Sequence, residues 1–276
     1  MLAPATNKMS MHSAPYSSVA PPPAGVALVT GVTSGIGEAC ARLFCAEGWR
    51  VVGCGRRRDR LEALGASLGD LFFAQSVDVR DRACVNNSLQ MLPEEFAPIA
   101  VLVSNAGLAL GVDKAPEANL DDWETMIDTN CRAMVSLTRA VLPGMIQRRR
   151  GHVISIGSVA GSYPYPGGNV YGATKAFVRQ FALNLRADLL GTPVRSTNIE
   201  PGMVHTEFSA VRFGGDAERA KTVYEGLEPL SAADIANAVL WCASLPQHVN
   251  VNTLELMPTG QAFSPFAIDR TGGSRP

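Results

Sequence analysis

An α/β fold, a single domain built on a doubly wound parallel sheet of seven strands with helices on both faces, is predicted by three observations. Short apolar runs alternate along the chain with longer stretches of helical periodicity, the pattern that strand–helix–strand crossovers leave in a sequence. The first apolar run leads straight into a glycine-rich turn and a helix start, an arrangement that opens a ligand cleft in such sheets. The chain has 276 residues, 46% of them hydrophobic, enough for one large core and ordinary for one α/β domain. No second domain and no internal repeat is visible.

Strands are predicted at Val26–Thr30, Arg50–Cys54, Leu71–Ser76, Ile99–Ser104, His152–Ile156, Val194–Ile199 and Asn252–Met257. Right-handed crossovers are expected between them. Ligands in such sheets bind beyond the carboxyl ends of the strands, where Thr30, Ser104, Ser158 and Pro201 all fall.

The first strand passes into Gly31-Val32-Thr33-Ser34-Gly35-Ile36-Gly37. Ala39, Leu43, Phe44 and Ala46 then recur with helical spacing, and Gly48 closes the helix. Strand, glycine-rich turn and helix N-terminus together make a place for a pyrophosphate. Gly31, Gly35 and Gly37 let the backbone come close, while free N–H groups along Thr33, Ser34 and Ile36 and the helix dipole favour negative charge.

The segment from Ser158 to Lys175 carries the chemistry. Tyr171 and Lys175 are four residues apart and share a face if the segment is helical. A Tyr hydroxyl, with a reference pKa of about 10, is a poor acid or base at neutral pH. An adjacent ammonium group favours phenolate and is expected to lower that pKa into a useful range. Ser158, just beyond Val153-Ile154-Ser155-Ile156, could hold a substrate oxygen close to the phenol. The three residues form an acid/base site for interconverting a carbonyl and an alcohol.

In this order and at this separation, the two motifs resemble the short-chain dehydrogenase/reductase family, from about Val26 to Met257. Asp78-Val79, Ser104-Asn105-Ala106-Gly107, Asn130 in a helix and Pro201-Gly202 also agree with the family pattern. The resemblance implies a Rossmann-type sheet and a nicotinamide cofactor. It puts Asp78 and Val79 at the adenine and Asn105, Ala106 and Gly107 at the adenosine ribose, where they also brace the central sheet. Tyr171 and Lys175 would meet the nicotinamide ribose, and Pro201, Gly202, Val204 and Thr206 would complete the cofactor site. Asn130 would hold a water connecting Lys175 to solvent. Ser104 stands where the family more often has Asn, a change expected to weaken one hydrogen bond.

Four segments are similar to the NADP-dependent 3-hydroxy acid dehydrogenases within that family: 108–111, 122–130, 168–181 and 248–255. Those enzymes are also described as serine or L-allo-threonine dehydrogenases and as malonic semialdehyde reductases. Against that group, Met203-Val204-His205-Thr206-Glu207-Phe208 is slightly shortened.

The end of the second strand bears on the choice between NADH and NADPH. NAD enzymes commonly carry an acidic residue there for the ribose 2′-hydroxyl. This chain reads Gly53-Cys54-Gly55-Arg56-Arg57-Arg58-Asp59-Arg60. A guanidinium can hold a 2′-phosphate with two donors, so Arg56 and Arg57 predict NADP(H). Arg58 and Arg60 are read as a solvated helix start. A second basic run, Arg148-Arg149-Arg150, follows a helix and is read as charge at its C-terminus.

By resemblance, then, the substrate is a small 3-hydroxy acid or its 3-oxo counterpart. Specificity is expected from 161–169 and from a mobile stretch at 201–226. Arg212 is the nearest basic candidate for a substrate carboxylate, its alternative being an exposed loop arginine. A broad carbonyl or 3-oxoacyl reductase would keep every catalytic residue and differ in the substrate loop. A non-catalytic NADP(H)-sensing regulator is disfavoured because Ser158, Tyr171 and Lys175 are all present.

Net charge is −1, so no global field recruits nucleic acid. No apolar run approaches the roughly 20 residues of a membrane span. The domain is expected at 25–262, between a Pro/Ser/Ala-rich disordered tail at 1–24 and a loose tail at 263–276. Six scattered cysteines without a C-x-x-C pair read as reduced thiols of a cytoplasmic enzyme. Four distant histidines make no metal site, and His152 and His205 are read as surface or loop residues. The resemblance implies a homotetramer or homodimer built on the long helices near 133–147 and 170–190 and on the last strand.

Overall fold

The computed structural model describes residues 25–263. The tail expected at 1–24, and all but the first residue of the one at 263–276, lie outside the described residues. Strands β1 (Val26–Thr30), β2 (Arg50–Gly55), β3 (Phe72–Ser76), β4 (Ile99–Ser104), β5 (Gly151–Ile156) and β6 (Val194–Pro201) follow in order along the chain. Two short strands, β7 (Val204–His205) and β8 (Leu230–Ser231), pair with each other, and β9 (Thr253–Leu256) is the last. The main sheet is parallel throughout, with order β3-β2-β1-β4-β5-β6-β9. All seven of its strands overlap the sequence-predicted runs. β7 and β8 were not predicted, because two residues carry no periodicity.

Helices α1 (Gly35–Ala46), α2 (Arg58–Leu68) and α3 (Arg82–Gln90) fill the first crossovers, and α4 (Leu120–Ile127), α5 (Ala133–Gln147) and α6 (Asn169–Asp188) the middle ones. After β7 come α7 (Phe208–Arg212), α8 (Ala217–Thr222) and α9 (Ala232–Ser244). Side chains alternate across the sheet, so each strand feeds two cores. Ala27 and Val29 of β1 pack with Phe44 of α1 and with Ile235 and Val239 of α9. Val26 and Leu28 face the other way, toward Leu137, Val141 and Met145 of α5 and Leu185 of α6. Both faces being covered, the central strands β1, β4, β5 and β6 are buried at every position.

That double burial corrects the reading of His152. It lies in β5 at 2% exposure, not at the surface, and its Nε2 is 2.7 Å from the Thr197 hydroxyl. Burial, with the charge of Arg195 nearby, holds its pKa well below the usual histidine value, so the ring is neutral. His205 is exposed in β7, as expected. The Arg148–Arg150 run follows the α5 C-terminus, where Arg148 Nη2 donates to the Ile99 carbonyl at 2.7 Å.

Strands β1 and β4 are neighbours, although two other strands and three crossovers separate them in the chain. The chain leaves them toward opposite sides of the sheet, which opens a crevice beyond their carboxyl ends. Asn105 and Thr30 brace that opening. The Thr30 hydroxyl accepts from the N–H groups of Asn105 (3.0 Å) and Ala106 (2.9 Å), and Asn105 Nδ2 donates to the Thr30 carbonyl at 2.8 Å.

Candidate active site

The crevice is a cleft of about 370 Å³, and its walls come from the ends of β1, β2, β4, β5 and β6. Of the predicted site residues, all but Gly37, Asn130 and Arg212 line it. Gly31 sits at φ 72°, the left-handed region that favours glycine, and its N–H donates to Cys54 O of β2 at 2.8 Å. Gly37 supports the turn from beneath, where a methyl group would collide with the Gly31 carbonyl and the Asn105 amide. Ser34 precedes α1 without a side-chain cap, leaving the first-turn N–H groups available to an anion.

At the end of β2, Arg57 wraps around this turn. Its Nε donates to Thr33 Oγ1 at 3.0 Å, and its Nη2 donates to Ser34 Oγ at 2.7 Å and the Thr33 carbonyl at 3.2 Å. Arg56 is exposed at the rim. Arg60 departs from expectation: its Nη1 reaches the Thr33 carbonyl (3.3 Å) and Glu207 (2.7 Å) rather than standing as a merely solvated helix start. The cause is helical geometry, which points it toward the same turn as Arg57. Glu207 was not foreseen at all, because its partners come from the far end of the sequence. Asp78 also has a partner, Arg80, whose Nη2 lies 2.6 Å from Oδ2 and holds the carboxyl below the usual range.

Tyr171 and Lys175 stand in the first turns of α6, both buried. Lys175 Nζ donates to the Ile156 carbonyl at 2.8 Å and lies 5.8 Å from the Tyr171 ring centre. Ser158 caps the short turn Val159–Gly161 by accepting from Ala160 N–H at 3.1 Å, and it hydrogen-bonds the Tyr171 phenol.

The expected lowering of the Tyr171 pKa is not found. Burial pushes the phenol up to about 12, outweighing the downward pull of the Ser158 hydrogen bond and the Arg212 charge, while Tyr165 adds to the rise. Burial also brings Lys175 down to about 8. Desolvation therefore dominates at both groups.

Asn130 lies in a π-helical turn, Asp128–Arg132, between α4 and α5. Its Nδ2 donates to the Leu108 carbonyl (2.9 Å) and Thr174 Oγ1 (3.0 Å), and its Oδ1 accepts from Leu108 N–H (2.9 Å). The side-chain amide is thus committed to Leu108 and Thr174.

Arg212, at the end of α7, is brought to the acid/base pair. Its guanidinium lies 5.3 Å over the Tyr165 ring and 5.7 Å over the Tyr171 ring. Nε donates to Gly111 O (3.3 Å) and Nη2 to Gly167 O (3.5 Å), which sets its direction. Tyr165 and Phe208, within the two stretches expected to set specificity, flank the same spot, with the Phe208 and Tyr171 rings 5.6 Å apart. The stretch expected to be mobile at 201–226 contains β7, α7 and α8.

The short chain dehydrogenase profile matches residues 25–215. An NADP-dependent 3-hydroxy acid dehydrogenase of Salmonella typhi is 55% identical over 247 residues, covering 89% of this chain and 100% of that protein. A serine 3-dehydrogenase of Agrobacterium fabrum is 51% identical over 246 residues, covering 89% of this chain and 98% of its own. Among solved structures, the closed form of a serine dehydrogenase complexed with NADP+ superposes with a TM-score of 0.88 at 54% identity, covering 89% of this chain and 99% of that one.

Proposed function

The chain belongs to the short-chain dehydrogenase family, and from that premise we propose that it is an NADP-dependent oxidoreductase interconverting a small 3-hydroxy acid and its 3-oxo acid. Serine, allo-threonine and 3-hydroxypropionate are the type substrates. The observation that carries the reading is one cleft with Ser158, Tyr171 and Lys175 at one end, Arg57 on the glycine-rich turn at the other, and Arg212 over the phenol. High identity to relatives named for NADP and for hydroxy acids supports it.

The residues present suit NADP(H). Uncapped amides of α1 at the glycine-rich turn would take a pyrophosphate, and Arg56 and Arg57 a 2′-phosphate. When bound, the cofactor supplies or accepts the hydride. Tyr171 gives a proton to the carbonyl oxygen in reduction and takes it from the alcohol in oxidation. Ser158 orients that oxygen and stabilises charge building on it. Lys175 binds the nicotinamide ribose hydroxyls and, as an ammonium, offsets the cost of ionising the buried phenol. Asn130 fixes the floor of the site through Leu108 and Thr174. Arg212 takes the substrate carboxylate.

The catalytic unit is read as 25–262, in a homodimer or homotetramer. Ile127, Phe177 and Ile146, exposed on or beside α4, α5 and α6, suit pairing with a second copy. Among the described residues no helix is long and apolar enough to cross a membrane. A cytoplasmic location accords with six free cysteines, five of them buried.

The test is NADP+ reduction across serine, allo-threonine, 3-hydroxypropionate, 3-hydroxyisobutyrate and neutral alcohols of similar size, in wild type and Arg212→Ala. The variant should raise KM for the hydroxy acids at least about tenfold more than for the neutral alcohols, because only the acids leave a charge unpaired. Equal effects would remove Arg212 from the site. Preference of the wild type for neutral substrates would replace this reading with a broad carbonyl reductase.

A further inference from the structure

Glu207 takes no part in the chemistry above, yet its carboxylate joins two parts of the cleft that are far apart in the chain. One oxygen meets Arg57 Nη1 at 2.9 Å and the other meets Arg60 Nη1 at 2.7 Å, across 150 and 147 positions. Both arginines are themselves fixed on the glycine-rich turn, through Thr33 and Ser34. Glu207 immediately precedes α7, whose Phe208 and Arg212 lie against Tyr171. On its other side Thr206 abuts Gly35, where a methyl group would come within 3.3 Å of the Thr206 Cβ. The segment from Thr206 to Arg212 is therefore a strap, tied at one end to the glycine-rich turn and laid at the other over the acid/base residues.

We propose that Glu207 is a positioning residue, a latch that fastens this strap to Arg57 and Arg60 and thereby holds Phe208 and Arg212 over the substrate. The proposal rests on the NADP(H) reading in that Arg57 serves both the cofactor and the latch. Its contacts to the glycine-rich turn and to the strap use different nitrogens of the guanidinium. Nε and Nη2 face Thr33 and Ser34, while Nη1 faces Glu207. Opening the latch thus leaves the cofactor end assembled and loosens the substrate end. A lone exposed ion pair contributes little, but here one carboxylate binds two guanidinium groups that are already immobilised, so less entropy is lost in forming the contact.

The test uses Glu207→Gln in the full chain. With serine as substrate, KM should rise about three- to tenfold while kcat stays within about twofold, and the NADP+ Kd should not weaken. Arg60→Gln, which removes one arm, should move KM in the same direction by a smaller factor. In NADP+-saturated enzyme, trypsin should cut after Arg212, Arg219 or Lys221 at least about threefold faster in Glu207→Gln than in wild type. That readout needs no turnover, so it decides the latch even if serine proves a poor substrate and the substrate reading falls. Unchanged cleavage overturns the proposal. So does an NADP+ Kd that rises in step with KM, since a general loosening of the site would move both.

Discussion

At the glycine-rich end of the cleft, Gly31, Thr33, Ser34 and Gly35 are chain neighbours, held between β1, β2 and β4 by short backbone bonds. At the substrate end, Glu207 finds its partner 150 positions away, and Arg212 reaches Gly111 across 101 and Gly167 across 45. The first end is dictated by backbone geometry, which few residues other than glycine satisfy. The second is assembled from side chains that meet only after the sheet has formed. Cofactor binding should therefore depend on the first end whatever the substrate, and choice of substrate on the second.

The largest effect is expected at Tyr171, which belongs to the locally encoded chemistry. Tyr171→Phe keeps the ring packed against Phe208 but removes the transferable proton. Turnover should fall at least about a hundredfold, in line with general acid–base contributions of about 10²–10⁴. The loss should be alike for hydroxy acids and neutral alcohols, and NADP+ binding should change little. Steady-state rates on both substrate types check this. Substantial residual turnover would show that another group moves the proton.

A smaller effect is expected from Arg56→Ala with Arg57→Ala, which acts on cofactor choice alone. NADP+ binding should weaken by about one to two decades and NAD+ binding should hold, because a charge-assisted contact contributes about 1.5–3 kcal/mol. Titration of both cofactors onto the double variant measures it. Since Arg57 also organises Thr33 and Ser34, equal losses would mean that the turn itself has collapsed, and the phosphate assignment would fall.

The same division explains what could be read from the chain. The main-sheet strands were legible because buried parallel strands are apolar runs, and the cofactor turn because strand, glycines and helix are contiguous. Tyr171 and Lys175 were legible through one helical turn. Glu207 and the inward reach of Arg60 were not, since no local pattern couples residues on distant crossovers. His152 was misread because a polar residue in a doubly covered strand has no side left to face solvent. The π turn at Asn130 left no trace in the residue spacing. The raised Tyr171 pKa was not legible because residue spacing reveals a neighbouring charge and not the burial that surrounds the phenol.

Lys175 is buried beside the acid/base tyrosine, and its proton gives the smallest and most specific test. Burial lowers its pKa from 10.5 to about 8. Below about pH 8 the native and unfolded states both hold the proton, and the native state bears the full cost of a buried charge. Between about 8 and 10.5 the native state releases a proton that the unfolded chain keeps, so the contribution of Lys175 to stability rises with pH. Buried groups raised by desolvation act in the opposite sense. Cys40 and Cys54 go to about 12, as does Tyr171, so above about pH 9 to 10 the unfolded chain ionises first and stability falls. The melting temperature of the wild type alone mixes these trends, whereas its difference from Lys175→Met isolates the lysine. Loss of the hydrogen bond to Ile156 should offset the Met curve by an amount that varies little with pH. The Met variant should therefore stand highest relative to wild type below about pH 8 and lose a few degrees of that standing as pH approaches 10.5. A difference that stays flat with pH would mean that Lys175 has a counter-charge in the native protein. The ammonium would then be fixed by the protein itself.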